Sequence, residues 1–211
     1  MLQTLKRDWW KLFIILLVGF GVNLLDYPTI KFFMDSVPKS YQNLMITLLG
    51  LITAILTRFI EVVLPAFVHE QKKLWSLAGQ YIAATLLLEI PYILVTFIGS
   101  PETMKTVYTG LKWPYAFVAF VLMLSFLCAA VKGTNLITGI KTLFTEHLKI
   151  LIGAFLSYRL ARWLILAVTF KVLSLAHVNE DVTMNTAYVI KTIIVIILIY
   201  ACLHLLKKKA Q

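Results

Sequence analysis

Residues 44–67 read LMITLLGLITAILTRFIEVVLPAF, 24 positions that hold only two charged side chains, Arg58 and Glu61. Wound as an α-helix at 1.5 Å per residue, such a run is about 36 Å long, enough to cross a hydrocarbon core of about 30 Å and to tilt within it. Five further apolar stretches approach or exceed the spanning length: Trp9–Leu25, Ala78–Ile98, Trp113–Val131, Ile150–Leu173 and Ala187–Leu206. The pattern predicts an all-α, polytopic membrane helical bundle of about six transmembrane helices, a single membrane domain over residues 1–211.

Composition points the same way. Hydrophobic residues make up 60% of the 211 and charged ones only 14%, with a mean hydropathy of +0.86, whereas a soluble domain is near half apolar and a quarter charged. Connections between the runs are too short for a separate soluble domain. The net charge of +10 comes from Lys and Arg placed at the ends of apolar runs rather than in one solvated patch, which speaks for membrane topology and against a nucleic-acid partner. Lys6 and Arg7 before Leu12–Leu25 resemble the charge layout of a secretory signal, but no A-x-A-like site comes after them, so an uncleaved first span is expected. Trp9, Trp10, Trp75, Trp113 and Tyr115 sit at segment edges, where an aromatic belt anchors helices at the interface.

The basic residues also orient the bundle. With six spans, eleven Lys and Arg fall on the side of the termini (Lys6, Arg7, Lys11, Lys72, Lys73, Lys132, Lys141, Lys149, Lys207, Lys208, Lys209) and five on the other (Lys31, Lys39, Lys105, Lys112, Lys171). Basic loops are retained in the cytoplasm, so both termini are expected there, in a multi-pass protein of the cell membrane. The positive cytoplasmic face is expected to attract anionic lipids of the bilayer. Residues 135–148 place Leu136, Ile140, Leu143, Phe144 and Leu148 at helical spacing, consistent with an interfacial helix or with a solvated connector into the fifth span.

Charged groups within the apolar runs must pair, face water or snorkel, because an unsatisfied charge in hydrocarbon is strongly disfavoured. Five candidates stand out: Arg58, Glu61, Glu89, Arg159 and Arg162. Arg58 and Glu61 are three apart and expected to form a local ion pair on one helix face. Arg159 and Arg162 share the same spacing with like charge and need acceptors from elsewhere. Glu89, two residues before Pro91, is the expected counter-charge. Lys191 is expected to snorkel outward. Together these residues form either a polar pathway that binds an ion, a proton or an anionic group, or a set of interhelical ion pairs that fix packing.

Catalytic patterns are missing. His69-Glu70 lacks the second histidine of H-E-x-x-H, and no G-x-S-x-G, Walker A or glycine-rich dinucleotide loop is present. The remaining histidines His147, His177 and His204 are scattered, and Cys128 and Cys202 lie in apolar runs as small hydrophobes, so neither a metal site nor a disulfide is expected. The expectation is a non-enzymatic protein without a cofactor.

From Val37 to Ala176 the chain resembles the Yip family of polytopic membrane proteins. The resemblance is carried by Pro38 before a long span, the basic connection Lys72-Lys73, Tyr81-Ile82-Ala83-Ala84 leading to Ile90-Pro91, and the junction Ala130-Val131-Lys132-Gly133. It implies a helical scaffold without catalysis, associated in bacteria with ABC-type transporters and in eukaryotes with membrane traffic. Two functions are therefore expected: an accessory or protective partner of a transporter or other membrane complex, or a small transporter or substrate-binding membrane subunit whose site holds the intramembrane charges.

Overall fold

The computed structural model describes residues 2–36, 38–70, 74–98, 101–175 and 180–210. These form helices α1 (Leu2–Ser36), α2 (Lys39–Arg58), α3 (Leu64–Glu70), α4 (Trp75–Ile98), α5 (Pro101–Lys132), α6 (Leu136–Glu146), α7 (Leu148–Leu175) and α8 (Glu180–Ala210). A π-helical turn, Phe59–Val63, joins α2 to α3 without a break. The protein is all-helical, and among the described residues four stretches are long and apolar enough to cross a membrane: Thr47–Glu70, Thr109–Lys132, Leu148–Leu173 and Val189–Lys208. They coincide with four of the six apolar runs. The other two runs lie on α1 and α4, parts of which fall outside the described side chains, as do Lys72, Lys73 and His177.

The π turn has a cause in the sequence. Pro65 has no N–H to give to the Glu61 carbonyl, and its ring crowds that oxygen, so the helix widens and the Leu64 N–H bonds to the Phe59 carbonyl five residues back. One extra residue in a turn shifts the register of the residues beyond it by about 100°. Glu61 lies inside that turn and is 2% exposed.

Burial is concentrated at the end of the bundle that carries the termini. There Val62, Val63 and Ala66 meet Tyr81 of α4, Leu124 to Ala130 of α5 and Ile199 to Leu206 of α8 in one continuous core, and Leu12 and Ile15 of α1 pack on Ile60 and Tyr200. Two thirds of the α5 apolar window is buried inside the protein against 6% for α7, so α5 is the central rod and α7 a peripheral one. Charged pairs close the same end. Lys207 and His69 both reach the Glu70 carboxylate, at 3.0 and 2.8 Å. Asp8, 1% exposed, receives two bonds from Arg7 and one from the Tyr200 hydroxyl. Burial alone would raise the Asp8 carboxyl, but the Arg7 guanidinium and the Tyr200 hydroxyl hold it below the usual range.

Helix α6 stands where periodicity placed a helix, with the Asn135 side chain accepting the Thr138 N–H at its start, 2.8 Å. Leu136, Gly139, Thr142 and Leu143 turn inward against the protein, while Phe144 and Leu148 of the apolar stripe are exposed. The reason is the close approach of α5. A Cβ on Gly139 would meet the Ser125 carbonyl oxygen at 2.2 Å and Ala129 Cβ at 3.0 Å, so the contact requires glycine and sets the roll of the helix. Gly133, at φ +68°, supplies the left-handed turn between α5 and α6. Gly139→Ala is expected to lower stability by about 1–3 kcal/mol, as overpacking against backbone does. Gly153→Ala, where nothing lies within 4 Å, should leave the melting temperature in detergent almost unchanged.

Candidate functional site

Away from the closed end, α2, α4, α5, α7 and α8 surround a cavity of about 1030 Å³. All five charged candidates line it: Arg58 from α2, Glu61 from the π turn, Glu89 from α4, and Arg159 and Arg162 from α7. Two further cations join them, Lys112 of α5 and Lys191 of α8.

The pairing inside the cavity differs from the spacing-based expectation. Glu61 forms its ion pair with Lys191 across the bundle, at 2.9 Å, and accepts a hydrogen bond from the Thr192 hydroxyl at 3.3 Å. The local Arg58–Glu61 pair is not formed because the π turn rotates Glu61 toward α8. Lys191 therefore turns inward rather than snorkelling. Arg58 instead bonds to the Tyr115 hydroxyl, which in turn donates to Glu89. The sequence Arg58, Tyr115, Glu89 is a relay across α2, α5 and α4, in which the phenol separates two groups expected to carry opposite charge.

Glu89 thus does not serve the α7 arginines: among the described residues no ion pair joins it to Arg159 or Arg162. Arg159 lies over the indole of Trp113, 4.0 Å from the ring centroid, a cation–π contact that orients the guanidinium while leaving its N–H edges available. Arg162 and Lys112 also have no carboxylate within ion-pair distance among the described residues. Among the described residues the cavity therefore holds five cationic side chains and two carboxylates, both carboxylates engaged, for a formal excess of three positive charges. Arginine at the centre of a spanning helix costs about 2.5–3.5 kcal/mol on insertion scales, so such an excess persists only with water or an anion beside it.

Lys112, Trp113 and Tyr115 were legible only as interface residues in the sequence, a loop cation and two belt aromatics. The signal that points to them is the demand side: Arg58, Glu89 and Arg159 each need a partner, and the Lys-Trp-Pro-Tyr run is the polar and aromatic cluster at the facing end of α5. No group of three His, Cys, Asp or Glu side chains comes together among the described residues, and Cys128 and Cys202 are buried, separate thiols in the core. No protein-family model, no curated protein and no solved structure matches the chain.

Proposed function

We propose that the protein is a six-span membrane protein, both termini cytoplasmic, that binds an anionic ligand in this cavity and acts as a small transporter or substrate-binding membrane subunit. The observation that carries the reading is the excess of three positive charges among the described residues that line the cavity, with Arg159 and Arg162 midway along a helix long enough to span. Charge of one sign, focused in a cleft with low-dielectric walls, concentrates ligands of the other sign. With the termini in the cytoplasm, the packed core closes the cytoplasmic end and the cavity belongs to the opposite half of the bundle. Reporter fusions after Gln211 should then read cytoplasm and fusions near Met104 the far side; a far-side C-terminus sinks this orientation.

The ligand itself is tested by native mass spectrometry of the full chain, purified in mild detergent. A bound anion is expected on the wild type and is expected to be lost from an Arg159→Gln/Arg162→Gln variant. Absence of any bound anion, together with no thermal stabilisation by phosphate, carboxylate or anionic lipid probes, overturns the reading.

A second reading, an accessory partner of an ABC-type transporter or other membrane complex, draws on α7. Its apolar window is 6% buried in this chain, which leaves a full helix face for lipid or for a partner helix. Copurification from gentle detergent distinguishes the two, since an accessory protein brings a stoichiometric membrane partner and a self-contained binding protein does not. On the cytoplasmic side Lys6, Lys141, Lys149 and Lys208 are exposed, and anionic lipid is the natural counter-surface for them.

A further inference from the structure

The walls of the cavity differ in character along α7. Arg159, Arg162, Trp163 and Leu166 succeed one another at helical spacing, so they occupy one face of the helix, with the two guanidinium groups at one end and an indole and a leucine at the other. Trp163 lines the cavity and is 67% exposed, next to Leu160 and Leu164 of the exposed apolar face of the helix, which sets the cavity wall beside the surface that meets the bilayer. Helix α7 packs chiefly on α8, and α2 on α1 and α4. Helices α2 and α7 thus line the cavity from different sides without packing on each other.

Resting on the anion-binding reading above, we infer that the ligand is a phosphate-bearing membrane lipid, its headgroup held by Arg159, Arg162 and Lys112 and its chain lying along Trp163 and Leu166. Each part rests on chemistry. Three cations without a carboxylate partner among the described residues match a phosphate group, whose oxygens take paired guanidinium N–H donors in a planar fork. A soluble anion needs only the charged half of the cavity. The volume of about 1030 Å³ is at the upper end of the roughly 300–1,000 Å³ that small-ligand pockets occupy, and its remaining walls are largely apolar and aromatic. A hydrocarbon chain fills that space and keeps its tail in the bilayer, whereas a small hydrophilic anion leaves it to water. On the α2 wall Gly50 has nothing within 4 Å of its Cβ position, so the cavity has room for a chain on that side as well.

The test uses the full chain in nanodiscs of phosphatidylcholine doped with phosphatidylglycerol, and the same chain in detergent with glycerol 3-phosphate or inorganic phosphate. Brominated acyl chains on the phosphatidylglycerol report proximity by quenching tryptophan fluorescence. The wild type should bind phosphatidylglycerol saturably, at least tenfold more tightly than phosphatidylcholine, with glycerol 3-phosphate failing to compete at equal concentration. Arg159→Gln/Arg162→Gln should weaken binding at least tenfold, while Lys141→Gln/Lys149→Gln/Lys208→Gln, which removes exposed cytoplasmic charge, should not. Gly50→Trp, which fills part of the cavity beside the α2 wall and leaves every cation in place, should weaken the lipid but spare soluble phosphate. If soluble phosphate or glycerol 3-phosphate binds as tightly as the lipid, the lipid inference falls and the anion-binding reading stands. If neither lipid nor soluble anion binds, or binding survives in the double-arginine variant, both fall.

Discussion

Replacing Lys191 by Met in a chain that keeps Glu61 is expected to destabilise the protein by about 3 kcal/mol, near the lower end of the range for breaking a buried ion pair. The magnitude reflects the group left behind. Glu61 is 2% exposed, sits in a π turn, and among the described residues keeps the Thr192 hydroxyl, at 3.3 Å, as its bonded partner. Its carboxylate would stay buried without a cation. Converting Glu61 to Gln in the same chain removes the orphaned charge, so the double variant should recover part of the loss. Denaturation in mild detergent measures all three proteins. A double variant whose loss is the plain sum of the single losses means that the 2.9 Å contact is not energetically coupled. The same cycle run on Arg58 and Glu61 should show the weaker coupling, because Arg58 is bonded to Tyr115.

Arg162→Gln should have the opposite sign. Arg162 lines the cavity and meets no carboxylate among the described residues, so its charge is carried by the ligand-free protein without compensation. Neutralising it is expected to raise the stability of the empty protein by about 1 kcal/mol, below the 2.5–3.5 kcal/mol of a lipid-buried arginine because a cavity of this size has room for water beside the guanidinium. Binding of an anionic ligand should meanwhile fall at least tenfold, about 1.4 kcal/mol. Gain of stability with loss of binding is the signature of a functional site held against the folding preference of its residues. Arg159 is less suited to this test, since its contact with Trp113 at 4.0 Å contributes stability of its own. An Arg162→Gln protein that is less stable and binds as before would identify the side chain as a packing element.

Helical class and the membrane-crossing length of four segments were legible in the sequence because they depend on local quantities. The apolar run of residues 44–67 and its counterparts decide them by length and composition alone, and backbone hydrogen bonding in hydrocarbon leaves few other structures open. The five charged candidates were equally legible, since any ionisable residue in such a run stands out by its solvation energy. Their partners were not. Spacing proposed Arg58 for Glu61 and the α7 arginines for Glu89, but partner choice depends on how far each helix is rolled and which neighbour it faces, and that was decided by a proline and a glycine acting at a distance. Pro65 opens a π turn that swings Glu61 to Lys191. Gly139 lets α6 close on α5, within the core that shuts one end of the bundle. Sequence alone determined that this chain is helical, that its helices suit a bilayer, and that Arg58, Glu61, Glu89, Arg159 and Arg162 need an explanation. Only the tertiary structure decided that they share one cavity with Lys112 and Lys191 and that, among the described residues, both carboxylates there are taken and three positive charges remain, because the balance of charge in a cavity is a sum over helices that no single segment contains.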